Sequence, residues 1–300
     1  MHVTICIPTF KRPTGLRALL LGINDLVRAE GVDFRAVIVD NDARGSAQPV
    51  LNELSKELSY SAEYILEPKR GLSFVRNTAL DNAMEADAIA FIDDDEVPDP
   101  GWLVELVRAQ QFYGADAVRG AVVSRFAQSV PNWIAKGGFF ERPRPATGTV
   151  LKEAATSNVL ICTKVLRETG LRFDPQFSLS GSEDTDFFSQ LDAAGALIIA
   201  ANSAVVYETI PPERANARWL SLRALRISNA DAFLLLKRSS SLVNRVHIFL
   251  HGMSRLTVGI AMAFFTIPFG RVAMVDNLRR IARALGNVMA AIGVRYNEYG

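Results

Sequence analysis

Four short apolar runs, at 3–8, 36–40, 64–66 and 89–93, alternate with stretches whose apolar residues recur at helical spacing. Those stretches are 14–30, with Leu16, Leu19, Leu20, Ile23 and Val27 on one face, then 50–58 and 72–84. A strand wetted on one face alternates apolar and polar residues, whereas one covered on both faces is continuously apolar. Covered strands separated by amphipathic helices specify a parallel sheet with right-handed crossovers. The expected fold class is therefore α/β, a doubly wound and mainly parallel sheet. Further on, the pattern predicts a helix at 102–112 and a strand at 117–123. Residues 126–153 are irregular and rich in Gly, Pro and aromatics, as a long functional loop would be. A strand at 157–162, a helix from 183 to about 194 with Ser182 as its N-cap, and a last strand at 197–207 complete the body.

Charge divides the 300-residue chain. Residues 1–213 carry 20 basic and 29 acidic side chains; residues 214–300 carry 13 and 3. The expected organisation is thus a body, 1–213, and a basic helical extension, 214–300. The body is expected to divide further into halves 1–98 and 99–213. Within the extension, 256–270 is uncharged between Arg255 and Arg271, shorter than a spanning helix needs and suited to an interfacial segment or hydrophobic hairpin. The two cysteines, Cys6 and Cys162, both lie in apolar runs, which excludes a disulfide framework and a Cys-based zinc site and fits a reducing compartment. Met1-His2 leads straight into an apolar run with no basic leader region, so a cytoplasmic protein is expected.

In open α/β sheets ligands bind beyond the carboxyl ends of the strands. Here those ends read Pro8-Thr9-Phe10-Lys11-Arg12, Asp40-Asn41-Asp42 and Asp93-Asp94-Asp95. No G-x-G-x-x-G follows the first strand and no G-x-x-x-x-G-K-[ST] occurs, which removes the dinucleotide and P-loop signatures. Alternation puts Asp93 and Asp95 on one side, two hard oxygen ligands suited to Mg²⁺ or Mn²⁺ completed by substrate phosphates; a bare acidic triplet is otherwise a solvated turn. Arg76 in the first turn after Gly71-Leu72-Ser73 is disfavoured by the helix dipole, and an anionic ligand would explain it, with Ser73 as cap. Glu183 and Asp184 are acidic residues at a helix start, a position the dipole alone rationalises. Arg218-Trp219 with Arg223 and Arg226 form either a solvated basic face or a contact for a diphosphate or lipid headgroup. His247 and His251 lack a carboxylate neighbour and read as core or interfacial residues.

Taken together, these residues resemble the family 2 inverting glycosyltransferases of GT-A fold, in the family's order across about two-thirds of the chain. Val3–Arg12 is similar to the opening strand with its P-T-[FY]-x-R ending, and Asp40 to the acidic strand end that contacts the nucleobase. Gly71–Leu80 resembles the segment containing R-N, Asp93–Asp95 the D-x-D motif, and Gly181–Asp186 the E-D motif whose aspartate, here Asp184, is the general base. The resemblance implies donor contacts at Pro8, Thr9, Arg12, Asp40, Arg76, Asp93 and Asp94, and a metal at Asp95. It also implies Glu208 as a metal ligand, standing where the family often has histidine. Glu183, Asn158, Arg218 and Trp219 are further candidates. The implied cofactors are Mg²⁺ or Mn²⁺ and a nucleotide-sugar, with UDP favoured over GDP. Processive members carry Q-x-x-R-W; Ala215 stands where the Gln would be, so single-sugar transfer to a saccharide or polyprenyl-diphosphate-linked acceptor is implied, in exopolysaccharide assembly. The basic extension would then dock on the cytoplasmic face of the membrane.

Three other classes compete. A nucleotidyltransferase of similar fold needs a Gly/Arg-rich phosphate loop, and Pro8–Arg12 lacks the glycines. A non-catalytic membrane-docked scaffold would predict a degraded D-x-D or E-D, and both are intact. A nucleic-acid binder explains the basic extension but not the acidic strand ends, so no nucleic-acid partner is expected.

Overall fold

The computed structural model describes residues 1–239 and 241–297. In chain order its elements are β1 (His2–Thr9), α1 (Pro13–Asn24), β2 (Asp33–Asp40), α2 (Gln48–Leu54), β3 (Ser61–Leu66), α3 (Leu72–Asp81), β4 (Ala88–Ile92) and β5 (Glu96–Pro98). There follow α4 (Trp102–Tyr113), β6 (Ala117–Phe126), α5 (Asn132–Gly137), β7 (Asn158–Cys162), α6 (Thr163–Thr169), α7 (Glu183–Ala193), β8 (Ile198–Ile210), α8 (Ala217–Arg238), α9 (Leu242–Thr266) and α10 (Gly270–Ala291).

The eight strands form one sheet in the order β3-β2-β1-β4-β7-β6-β8-β5. β1 pairs in parallel with β2 and β4, and β2 with β3, as the covered apolar runs require. The expected parallel character stops there: β7 is antiparallel to β4 and β6, and β5 to β8. β5 begins only four residues after β4 ends. That reach is about 14 Å, whereas four strand positions in a flat sheet span about 19 Å. The sheet must curl, and Asp93-Asp94-Asp95 is the turn that closes the gap.

Strand parity sorts the core into two layers. Val3, Ile5, Ile7, Ile38, Ala90 and Ile92 pack with α1, α2 and α4 on one face. Cys6, Val37, Val39, Ile89 and Phe91 pack with α3, α6 and α7 on the other. α1 ends at Asn24, six residues before the periodicity expects. The Asn24 side chain there donates to Glu57 O (2.7 Å) and accepts from Ser59 N (2.8 Å), tying the chain to the loop before β3.

The chain forms two compact units. The first is Met1–Arg125, Arg142–Ser178 and Glu183–Thr209; the second is Phe126–Glu141, Leu179–Ser182 and Ile210–Gly300. The second therefore takes in more than the extension expected from charge alone. The reason is apolar: Ile134, Phe139 and Phe140 pack with Ile210, Leu220 and Val275, and Phe140 stacks on Trp219. In this unit α9 and α10 form an antiparallel hairpin, with Gly252 against Val288 and Gly259 against Ile281. Leu242–Ala291 is the one helical stretch, among the described residues, long and apolar enough by length and composition to cross a membrane.

Candidate active site at the carboxyl ends of the parallel strands

β1 ends at Thr9, and the chain turns through Lys11 in a left-handed conformation (φ 54°) before α1. Such a backbone is strained for a non-glycine residue and is characteristic of functional turns. Its consequence is to bring Arg12 over the turn after β4. Arg12 Nη1 donates to Asp94 Oδ1 (2.8 Å) and Asp95 Oδ2 (2.9 Å), and Thr9 Oγ1 donates to Asp94 Oδ2 (2.8 Å). Burial disfavours the guanidinium's charge, but Asp94 and Asp95 more than offset it, so Arg12 is held more firmly protonated. Gly15 permits the approach of α1: a Cβ there would lie 2.4 Å from Asp94 O. Pro8 is buried within β1, opposite Val39.

Asp93 takes no part in that clamp and has no ion pair among the described residues. Burial raises its pKa to about 6; Asp95 and Asp94 push the same way, and Arg76 and Arg142 oppose them. Beside it Glu96 is fully buried, raised well above the usual carboxylate range by burial and by Asp93. The β5–β8 register puts Glu96 directly opposite Glu208. Like charges facing across strands destabilise a sheet, and Arg142 relieves them: Nη2 donates to Glu208 Oε2 (2.6 Å) and Nη1 to Ser157 Oγ (3.2 Å). Arg142 and Glu96 carried no motif signal. Only membership of the irregular 126–153 stretch pointed toward Arg142.

The carboxylates are chemically suited to a hard divalent cation, but Asp95 and Glu208 each face an arginine. No three such side chains form a ready metal cage among the described residues. A cation that completes its shell with phosphate oxygens needs only one or two protein carboxylates. Asp93, whose charge is raised in energy by its acidic neighbours, is the group such a cation would relieve. The residues therefore fit a cation shared with a bound diphosphate.

Other expected site residues lie elsewhere. Asp40 is fully buried, with Oδ1 accepting from Asp42 N (2.9 Å) and Oδ2 from Ala47 N (2.7 Å). Its carboxylate organises the 41–47 loop. Asn158 is interior, accepting from Trp102 Nε1 (2.7 Å) and donating to Ala121 O (3.0 Å) and Ala204 O (2.9 Å); it is a core connector between strands. Arg76 is buried and paired with the Glu183 carboxylate of this chain. Ser73 does not cap α3; its hydroxyl donates to Asp174 O (2.7 Å). Ser182 has φ 68°, unlike the extended N-cap conformation. Asp184 is partly exposed in the first turn of α7, with Oδ1 accepting from Thr185 N (2.7 Å). In the second unit Trp219 is a packing residue between Phe140 and Arg223, and Arg218 is exposed. His247 and His251 stack on each other and are exposed on α9, outside any core.

Residues 4–170 match the sequence profile of glycosyl transferase family 2, more than half of the chain. The succinoglycan biosynthesis protein ExoM of Rhizobium meliloti (strain 1021) is 32% identical over 253 residues, covering 84% of this chain and 81% of that protein. Among solved structures, S. aureus TarS 1–349 with UDP superposes with a TM-score of 0.56 at 16% identity, over 94% of this chain and 90% of that one. The same protein with UDP-GlcNAc gives 0.56 at 17% identity, with the same coverage. The mannosyltransferase PcManGT of Pyrobaculum calidifontis, with GDP-Man and Mn²⁺, gives 0.63 at 16% identity, over 95% and 86%. At these identities the structural matches speak for the fold.

Proposed function

The chain belongs to glycosyl transferase family 2, and on that footing we propose that it moves one sugar from UDP to a saccharide acceptor on polyprenyl diphosphate, inverting the anomeric centre, in exopolysaccharide assembly. The observation that carries the donor reading is the convergence of Thr9, Arg12, Asp94 and Asp95, with Asp93 beside them, at the ends of β1 and β4. The likeness to ExoM supports the biosynthetic setting, and the nucleotides and Mn²⁺ held by the structural neighbours support the donor class.

In this reading Arg12 presents a permanent cation to the diphosphate while Thr9 holds Asp94 in register. Asp93, Asp95 and, once released from Arg142, Glu208 would hold Mg²⁺ or Mn²⁺. When bound, that ion supplies Lewis-acid stabilisation of the diphosphate leaving group. Asp184 takes the proton from the acceptor hydroxyl as that oxygen attacks the anomeric carbon.

The hairpin supports a membrane-surface location, on the cytoplasmic leaflet where nucleotide-sugars are made available. α9 is inside out for water: its buried residues are Gly252 and Gly259, while Val258, Ile260, Phe264 and Phe265 are exposed. Its contact with α10 uses small residues and an Asn277 Nδ2 to Gly259 O hydrogen bond (2.9 Å), the way helices associate in lipid.

Calorimetric titration of UDP with and without Mn²⁺, repeated on Asp95→Ala, tests the donor site. Binding that requires both Mn²⁺ and Asp95 is expected. Silence toward UDP under every condition, or a preference for GDP, overturns the UDP assignment.

A further inference from the structure

Arg76 and Glu183 form an ion pair in the interior of the first unit, their side chains 6% and 3% exposed. The pair is incompletely satisfied. Arg76 Nε and Glu183 Oε2 are buried without a hydrogen-bond partner among the described residues. A buried pair loses solvation that its mutual attraction does not fully return, and apolar replacements of similar volume are often neutral or stabilising. Its presence therefore calls for a reason other than stability.

Helix geometry supplies one. Glu183 opens α7, and Phe187 follows one turn later on the same face. Phe187 stacks on Phe173 with ring centroids 4.3 Å apart, and Phe173 meets Phe91 of β4 edge-on. The aromatic contact alone would anchor the helix one turn in and leave its first turn to fray. Pinning Glu183 as well holds that turn and fixes the rotation of α7 about its axis. Asp184, about 100° further round, is then directed away from this face, where it is partly exposed. The cation that does the pinning is itself immobilised. α3 is docked through Ser73 to Asp174 O (2.7 Å), Asn77 Nδ2 to Phe173 O (2.9 Å) and Phe173 N to Asn77 Oδ1 (2.9 Å).

The geometry points to the Arg76–Glu183 pair as the positioning device for Asp184, an inference that rests on the reading of Asp184 as the general base.

The test is the double variant R76M/E183M, with Glu183→Gln as a near-isosteric single change and Asp184→Asn as the control for the base. R76M/E183M is expected to melt at or above the wild-type temperature and to bind UDP within about twofold of wild type. Its kcat falls ~10–100-fold with little change in donor KM, the signature of a misplaced catalytic group. Glu183→Gln shows the same split and carries the test if the double variant does not fold. Wild-type kcat in either folded pair variant overturns the inference. So does a fall in kcat matched by equal losses in melting temperature and UDP binding, which marks the pair as structural support only. Full turnover by Asp184→Asn removes the base reading instead; an inactive Asp184→Asn beside fully active pair variants removes only the positioning role.

Discussion

Asp93→Asn is expected to stabilise the nucleotide-free, metal-free protein at pH 8. The unperturbed Asp93 carboxyl titrates at 3.8 and in the folded chain at about 6, because burial and the neighbouring Asp95 and Asp94 outweigh Arg76 and Arg142. Above pH 6 the group is ionised in both states, and the folded state bears the full excess cost of that charge. Below about 4 it is protonated in both, and the cost vanishes. The wild-type protein therefore gains stability from this group as pH falls through the window between. About two pKa units at ~1.4 kcal/mol each give an upper bound near 3 kcal/mol. Partial exposure and relaxation lower that to ~1–3 kcal/mol, or several degrees in melting temperature. Asn keeps the shape and the backbone N–H that donates to Glu96 Oε2 at 3.1 Å. Thermal melts of both proteins at pH 8 and pH 4.5 in EDTA measure the effect. A variant no more stable at pH 8, or an advantage that does not shrink at pH 4.5, refutes the account of this acidic turn.

Asp184→Asn should fold and bind UDP while turnover drops ~10²–10⁴-fold, read from sugar transfer alongside calorimetry; near-normal turnover removes it from the base role. Gly15→Ala should destabilise by ~1–3 kcal/mol and weaken UDP binding, because its methyl meets the Asp94 carbonyl 2.4 Å away; a silent substitution contradicts that close packing. Asn158→Ala should lose ~2–4 kcal/mol in denaturant melts, since it leaves Trp102 Nε1 and two strand carbonyls without their buried partner; loss of UDP binding without loss of stability would return Asn158 to the site. The protein should sediment with anionic vesicles at low salt and be released as salt rises, each basic residue at the surface contributing ~1 kcal/mol; indifference to vesicles, or self-association through α9 in their absence, excludes the membrane reading.

Continuous apolar runs and helices of period 3.6 are local properties, and they place β1, β2, β3 and β4 and the two-layer core with nothing but neighbouring residues to go on. The acidic turn at Asp93–Asp95 and the basic turn at Arg12 were equally legible, because residues at strand ends follow directly from the strands. Partners brought together across the fold were not. Arg76 and Glu183 are 107 positions apart, and Arg142 and Glu208 are 66 apart. Whether Arg76 meets a ligand or a carboxylate of its own chain depends on how α3 and α7 dock. The facing of Glu96 and Glu208 depends on the antiparallel register of β5 and β8, strands far apart along the chain. Asp40 and Asn158 are a related case: the loop amides and strand carbonyls that hold each polar side chain are brought round it only by the fold. Hydrophobic periodicity is written along the chain, whereas ion pairing and hydrogen-bond satisfaction are decided by distances between segments, which exist only once the chain has folded.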